Sequence, residues 1–394
     1  IIRIHCRVSA PRLLTIRTAV YKSRRRLAMG QKHEILSLFH ECSPARARTI
    51  AKCFYPLVTT GLPLAPMKAS KHNPIRLILA PMEGVVDSLM RSMLTQIGGY
   101  DRCVTEFVRV SQTVLPSRVF YRLCPELKHG GLTPAGVPVY VQLLGSDPEL
   151  MAANAAVVAR LNAPGIDLNF GCPAKTVNKS EGGAVMLRKP DRIAAICGAV
   201  RAAVPKHIPV TAKIRLGFDD DANFEAIVDA AISGGINELI IHARTRQQAY
   251  RPPAHWHRLA DAVARSPIPI IANGELWSAS DVQACGGMSG CNAFMLARGA
   301  LCRPDLGRAI QAHLHNEDYS ALDWTDIQPM LSQFMVANAA AYDPKFAVNP
   351  VKQWLVYLKF YYPQAAMLFA QVKRINDPKL MAEALAGAHL LAVA

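Results

Sequence analysis

The chain has 394 residues, 51% of them apolar, and a formal net charge of +16. This length exceeds one small domain and accommodates a barrel-sized domain of roughly 250 residues together with a smaller module. No stretch approaches the roughly 18 uninterrupted apolar residues of a membrane helix, so the sequence predicts no membrane span.

Residues 1–74 carry most of the excess positive charge. They hold 14 Lys and Arg against two acids, Glu34 and Glu41, and so account for 12 of the 16 net positive charges. The rest of the chain is only mildly basic, and its charge is weak support for a nucleic-acid partner. A basic, acid-poor stretch resembles a transit peptide or an arm that contacts RNA. The interpretation that we favour is a gene start extended upstream of Met67 or Met29, so we expect a disordered or misassigned extension.

The ten cysteines form no C-x-x-C pair. In a chain of this length, unpaired cysteines predict a cytosolic protein with reduced thiols. The spacing also argues against a zinc site. His255 and His257 are two residues apart with no third ligand nearby, so we expect them on the surface or in packing, and we predict no metal site.

From Ile75 onward, short apolar runs alternate with Ala-rich helical stretches. Continuous apolar strands separated by helices indicate a parallel sheet buried on both faces. Eight such strands predict an α/β fold of the (β/α)8 TIM-barrel type, with an open doubly wound sheet as the alternative. The eight runs are 76–80, 103–107, 137–144, 165–170, 208–216, 238–243, 268–273 and 293–297.

Polar residues lie at or just after the carboxyl end of each predicted strand. In a barrel the carboxyl ends of the strands meet at one face, where active sites lie, so eight polar strand ends in one register predict a site there. Among them, Cys172 lies in the segment DLNFGCPAKTVNKSEGGA at 167–184, three residues after Asn169. On residue type alone its thiol remains open between a buried spacer, a metal ligand, a disulfide partner and a reactive group.

Residues 313–394 have aromatic residues at helical spacing and predict a small helical domain. Lys352 and Lys359 are seven residues apart, which places them on one helix face. That face is either solvated or turned toward RNA, and composition leaves both interpretations open.

Eight segments together resemble the tRNA-dihydrouridine synthases, most closely the bacterial branch that acts on U16 of the D-loop. The resemblance runs from about residue 75 to the C-terminus and includes VKQWLVYLK of the tail. It implies a barrel catalytic domain at 75–312 and a tRNA-recognition domain at 313–394. The segments are APMEGVVDS (80–88), TEFVRV (105–110), VQLLGSDP (141–148), DLNFGCPAKTVNKSEGGA (167–184), KIRLG (213–217), IHARTRQQAYR (241–251), IANGELW (271–277) and ARGAL (297–301).

The resemblance implies reduction of a tRNA uridine to 5,6-dihydrouridine by FMN, itself reduced by NADPH or NADH. It also implies a cytoplasmic monomer with no protein partner. No side chain donates hydride, so a cofactor is required. The cofactor-binding residues implied by the match are Pro81, Met82, Gln142, Lys213, His242, Asn273, Gly274, Glu275, Ala297 and Arg298.

By the same resemblance, Cys172 is the general acid that protonates C5 of uracil. A thiol with a reference pKa of about 8.5 is mostly protonated at neutral pH and still able to release its proton. Asn169 is expected to orient the uracil, and Arg109, Tyr250 and Lys352 to contact the RNA.

Two other functions remain open. An FMN barrel that oxidises or reduces a small molecule, in the manner of a dihydroorotate dehydrogenase, explains the flavin and the cysteine but leaves the helical tail unexplained. A non-catalytic RNA-binding protein would lack flavin.

Overall fold

The computed structural model describes residues 75–179 and 181–387. The predicted extension at 1–74 lies outside the described residues, as do the last seven residues of the predicted tail domain.

Eight parallel strands close into a barrel in chain order, with β1 hydrogen-bonded to both β2 and β8. The predicted (β/α)8 fold is therefore confirmed, and each predicted strand overlaps the observed one. The strands are β1 (Arg76–Leu79), β2 (Arg102–Arg109), β3 (Val139–Leu144), β4 (Ile166–Asn169), β5 (Val210–Arg215), β6 (Glu238–His242), β7 (Ile270–Asn273) and β8 (Ala293–Leu296).

Helices cover the outside of the barrel, and some of them begin at a capping side chain. Asp147 accepts a hydrogen bond from the Leu150 backbone N–H and precedes Pro148 at the first position of its helix. Ser278 caps a second helix in the same way. The helices between and after the strands of the barrel are α1 (Ser88–Ile97), α2 (Ser117–Leu123), α3 (Pro148–Arg160), α4 (Lys175–Asn178), α5 (Pro190–Ala203), α6 (Phe224–Ser233), α7 (His257–Arg265), α8 (Ala279–Ser289), α9 (Arg298–Cys302) and α10 (Leu306–His315).

At the amino-terminal floor of the barrel, Glu238 lies between two arginines. Its carboxylate is 2.5 Å from the Arg76 guanidinium and 2.7 Å from that of Arg102. These arginines lower the pKa of the Glu238 carboxyl, whose burial alone would raise it. The three residues begin β6, β1 and β2, so the ion pairs join strands on opposite sides of the floor.

The tail is helical, as predicted, and packs against the barrel. The buried Trp354 donates its indole N–H to the Leu301 carbonyl at 3.1 Å, and the Tyr342 hydroxyl donates to Asp87, the residue that caps α1. The predicted boundary between the barrel domain (75–312) and the tail domain (313–394) remains a prediction. The tail helices are α11 (Trp324–Ala341), α12 (Pro344–Ala347), α13 (Asn349–Leu358), α14 (Pro363–Val372) and α15 (Pro378–Gly387). Over residues 75–179 and 181–387, no helix is long and apolar enough to cross a membrane.

Candidate active site

A cavity of about 540 Å³ opens at the carboxyl-terminal mouth of the barrel. This volume lies in the range of small-molecule and cofactor sites. Every predicted catalytic and cofactor-binding residue lines it, together with two of the four predicted substrate-binding residues. Those residues are Pro81, Met82, Gln142, Asn169, Cys172, Lys213, His242, Tyr250, Asn273, Gly274, Glu275, Ala297 and Arg298.

The loop that carries Cys172 is held by the side chain of Asn169, the last residue of β4. Asn169 Oδ1 accepts hydrogen bonds from the backbone N–H groups of Gly171 and Cys172, both at 2.9 Å. From the other side of the loop, Asn178 Nδ2 donates to the Cys172 carbonyl at 3.1 Å. The thiol is thus placed by backbone contacts on both sides, which fixes its position before any substrate binds.

Asn169 is itself fixed by a hydrogen-bonded chain that crosses three strands. Its Nδ2 donates to Gln142 Oε1 at 2.7 Å, and Gln142 Nε2 donates to Asp167 Oδ2 at 2.7 Å. Thr211 donates to the other Asp167 oxygen at 2.5 Å. Burial raises the pKa of Asp167, while the bonds from Thr211 and Gln142 oppose that shift. The carboxylate is the common acceptor at which this chain ends.

Cys172 differs from the other cysteines in the described ranges, which are all buried. Its thiol is half-buried and lines the cavity. Burial raises the pKa of the Cys172 thiol, the negative charge of Glu83 adds to the rise, and the Ala174 N–H and Arg215 oppose it. The group is therefore protonated at neutral pH, which is the state that a proton donor requires.

Lys213 and Asn273 form a polar pair on the barrel wall. Lys213 Nζ donates to Asn273 Oδ1 at 2.8 Å, and Asn273 Nδ2 donates to the Met295 carbonyl at 2.8 Å. Burial and then the neighbouring Arg215 lower the pKa of Lys213 to about 7. An anion next to this amine would stabilise its charged form.

His242 lies among cations at the end of β6. Burial is the main reason that its pKa falls well below the usual value, and Arg215 and Lys213 add to the shift. Arg244 Nη1 lies 3.3 Å from His242 Nε2. A guanidinium can only donate, so Nε2 accepts this bond and we assign the imidazole proton to Nδ1.

Gly274 leaves room beside this imidazole. Its backbone has φ of +115°, and an added Cβ would lie 2.8 Å from His242 Cδ2. The next residue, Glu275, is 2.6 Å from Arg244 and 3.4 Å from Arg298. One carboxylate therefore serves two guanidinium groups, and the surrounding site keeps an excess of positive charge.

Arg298 and two aromatic rings form a stack at the rim. Its guanidinium carbon is 5.1 Å from the Tyr250 ring centroid and 4.9 Å from that of Trp277. Arg215 approaches the Tyr250 ring to 5.5 Å. Both rings remain partly exposed, so each offers an aromatic face next to fixed cations.

Two predicted RNA-contacting residues lie outside the cavity lining. Arg109 is exposed at the end of β2. Lys352 is on α13 and donates from Nζ to Asn376 Oδ1 at 3.0 Å. Neither position tests their predicted RNA contacts, which remain predictions.

The cavity also has lining residues that the sequence prediction left out of the site. Arg215, although it ends a predicted strand, was not assigned a role, and here it donates to the Gly171 carbonyl at 2.8 Å. Tyr357 comes from the tail helix α13, and only the tertiary packing brings it to the barrel mouth. Three more lining residues are visible in the sequence as polar or aromatic residues near the ends of strands: Glu83, Glu106 and Trp277. In the part of the chain that the structure describes, no group of three metal-ligating side chains is placed to hold an ion.

Barrel and cavity together define an α/β-barrel enzyme with a preformed site, lined by acidic and basic side chains, at its carboxyl-terminal mouth. The dihydrouridine synthase (Dus) family model matches residues 78–379. Similar chains named tRNA-dihydrouridine(16) synthase include one from Pseudomonas putida, 48% identical over 77% of this chain and 94% of that one. Those of Vibrio cholerae (48%, 77% and 93%) and Ralstonia nicotianae (46%, 77% and 92%) match to a similar extent. The chain belongs to the dihydrouridine synthase family.

Proposed function

We propose that this protein reduces a uridine of the tRNA D-loop, U16, to 5,6-dihydrouridine, with FMN as cofactor and NADPH as reductant. The observation that carries the proposal is the placement of the Cys172 thiol in the same cavity as all ten predicted cofactor-binding residues. The family membership of the chain and the names of its relatives support the choice of substrate.

The residues present fit a flavin mononucleotide. Gly274 leaves open a space that a Cβ would fill beside His242, and its backbone can approach a ligand closely. Arg298, which lines the cavity, supplies a guanidinium group suited to a phosphate. The excess positive charge around Glu275 matches a dianionic phosphate better than a neutral ligand. We assign the phosphate to Arg298 and Gly274 and the ring system to the walls formed by Met82, Gln142 and Lys213.

When bound and reduced, FMN supplies the hydride that C6 of the uracil receives. Cys172 supplies the matching proton from Sγ to C5 and is left as a thiolate. Arg215, whose positive charge already opposes the raised pKa of this thiol, is placed to stabilise that thiolate. The bonds from Asn169 hold the Cys172 backbone still during the transfer. The positive charge of Lys213 favours an anionic neighbour, as the reduced cofactor is.

The target base must leave its stack to enter the barrel mouth. Tyr250, with half of its surface exposed and two guanidinium groups near its ring, provides a face on which the base can stack. The Asn169 Oδ1 is committed to the Cys172 loop and one Nδ2 hydrogen to Gln142, so a contact with uracil would use the other Nδ2 hydrogen.

The deciding experiment incubates the purified protein with NADPH and unmodified tRNA, and maps the product by mass spectrometry of nuclease fragments. Dihydrouridine at U16 alone is expected. Dihydrouridine at another position would retain the reaction and refute the position. A yellow protein that forms none would favour the small-molecule oxidoreductase, and a protein purified without flavin would favour a non-catalytic RNA-binding protein.

A further inference from the structure

Aromatic side chains continue outward from the cavity along one face of the tail. Tyr357 lines the cavity near the end of α13. The chain keeps a helical turn beyond that end, because Phe360 N–H donates to the Tyr357 carbonyl and Tyr361 N–H to that of Leu358. Positions three and four apart on a helical turn are neighbours. Tyr357, Phe360 and Tyr361 therefore share one face that begins at the cavity.

The outer two rings are exposed to solvent. Phe360 is 74% exposed and Tyr361 is 47% exposed. The next residue, Tyr362, is buried, and its hydroxyl donates to the Leu322 carbonyl at 3.1 Å. This anchor fixes the turn that presents Phe360 and Tyr361 to solvent. Their exposure follows from a fixed backbone and is not the result of a loose loop.

Cations accompany these rings. The Arg303 guanidinium is 5.4 Å from the Tyr361 ring centroid, and its ion pair with the buried Asp305, at 3.1 Å, holds it there. Lys359 Nζ is 6.0 Å from the Phe360 ring centroid. Inside the cavity, burial raises the pKa of the Tyr357 hydroxyl, and the positive charge of the nearby Arg298 opposes that rise. Each exposed aromatic face thus lies next to a positive charge.

We propose that Tyr357, Phe360 and Tyr361 form an aromatic track that stacks unpaired bases of the tRNA D-loop next to the uridine that enters the cavity. This inference rests on the proposed function and adds the residues that bind the flanking nucleotides. Bases stack on aromatic faces whatever their identity, and interleaved cations neutralise the phosphates between them.

Charge and position favour RNA over a second copy of this chain as the occupant. Lysine is depleted at protein–protein interfaces, whereas here the Lys359 ammonium lies beside the Phe360 ring. A second copy on the track would also cover Tyr357 and hence the mouth through which the substrate enters. The occupant to which we commit is therefore the substrate tRNA itself.

The test measures the dissociation constant of the flavin-loaded protein for unmodified tRNA at several salt concentrations. We expect Phe360→Ala and Tyr361→Ala each to weaken binding roughly 5- to 100-fold, the effect of losing one stacked base. The salt dependence of binding should keep its slope, since no ionic contact is removed. Phe360→Trp should restore affinity to within about twofold, whereas Phe360→Leu, which keeps apolar area without a π-face, should not.

Phe346→Ala is the matched control. Phe346 is 55% exposed with the Lys345 ammonium 4.8 Å from its ring centroid, but it lies on α12 and not on the face of Tyr357. Its loss should change the dissociation constant by less than about twofold. Equal effects of Phe360→Ala and Phe346→Ala would overturn the proposal, as would Leu performing as well as Trp at position 360.

Two further outcomes separate this inference from the function on which it rests. If the wild-type protein binds tRNA but forms no dihydrouridine, the proposed function fails while the affinities still decide whether the track binds RNA. If Phe360→Ala instead converts a dimer to a monomer with unchanged tRNA affinity, the track is a contact between copies and the proposal is overturned.

Discussion

At the floor of the barrel, Glu238 lies between Arg76 and Arg102, within 2.7 Å of both. At the mouth, Glu275 also faces two arginines, Arg244 and Arg298. The difference lies in the surroundings. Further cations approach the mouth, including Lys213 and Arg215, and together they lower the pKa of His242.

From this comparison we expect the same residue types to serve stability at one end and ligand binding at the other. At the floor, removal of the Glu238 carboxylate would leave the buried Arg102 guanidinium without its counter-charge, which is strongly destabilising. A cluster with additional cations is destabilised until an anion arrives. We therefore expect substitutions at the floor to affect unfolding and substitutions at the mouth to affect the reaction.

The largest effect expected at the mouth comes from Cys172→Ala. Removal of the proton donor should lower single-turnover dihydrouridine formation by about 10²- to 10⁴-fold. The matched floor variant is Cys103→Ala, in the buried start of β2, which should reduce stability only. Single-turnover assays on tRNA, normalised to bound flavin, measure both. Comparable rate losses in the two variants would refute the role of Cys172.

Removing one charge at each end of the barrel tests the comparison directly. Glu238→Gln leaves Arg102 buried without its partner and should lower the free energy of unfolding by about 3 kcal/mol. Its rate per folded molecule should equal that of the wild type. Arg298→Met should do the reverse and weaken flavin binding about tenfold or more, with unfolding little changed. Urea unfolding and flavin titration measure the two quantities. A Glu238→Gln protein with normal stability but impaired turnover would contradict the expectation that floor residues affect unfolding and mouth residues affect the reaction.

Gly274→Ala tests the space beside His242. The added Cβ meets the imidazole, and φ of +115° strains any residue with a side chain, so stability should fall by about 1–3 kcal/mol and flavin affinity should drop. Gly287→Ala is the control, because Gly287 lies on α8 with open space at its Cβ. Alanine there should stabilise the protein by about 0.5–1 kcal/mol. Thermal unfolding with and without flavin distinguishes the two.

The smallest effect expected is a pH dependence carried by Lys213. Its pKa is about 7 in the folded protein against an ordinary value of 10.5. Between these values the unfolded chain binds more protons, so this group makes stability rise with pH. Lys213→Met should remove about 1–2 kcal/mol of the rise between pH 7 and 9. Urea unfolding of the flavin-free proteins at both pH values gives the difference, in which the titration of buried cysteines cancels. Parallel curves would contradict the assignment.

The barrel was predictable because its strands are short, continuous apolar runs with polar residues at or directly after their carboxyl ends. Asn169, His242 and Asn273 each end a strand, as the pattern indicated, and the closed topology then brings them to one cavity. Local sequence carries this part of the site, because strand direction alone decides which end of each strand faces the mouth.

The rest depends on packing that the sequence does not display. Tyr357 reaches the cavity only because Trp354, on the same helix, is anchored to Leu301 of the barrel. Asp167 lies inside a strand and would have been noticeable as a charge in an apolar run, but its partner Thr211 is on another strand. Contacts of this kind follow from strand register and not from spacing along the chain.

The hydrogen-bonded chain that ends at Asp167 has one direction throughout. Donors at Thr211, Gln142 and Asn169 all point toward the carboxylate, so each amide has a single permitted orientation. A change at any one position leaves its neighbours with an unmatched donor or acceptor. Mutational effects along this chain should therefore be strongly epistatic, and a substitution at Gln142 should be felt at the thiol of a loop that it does not touch.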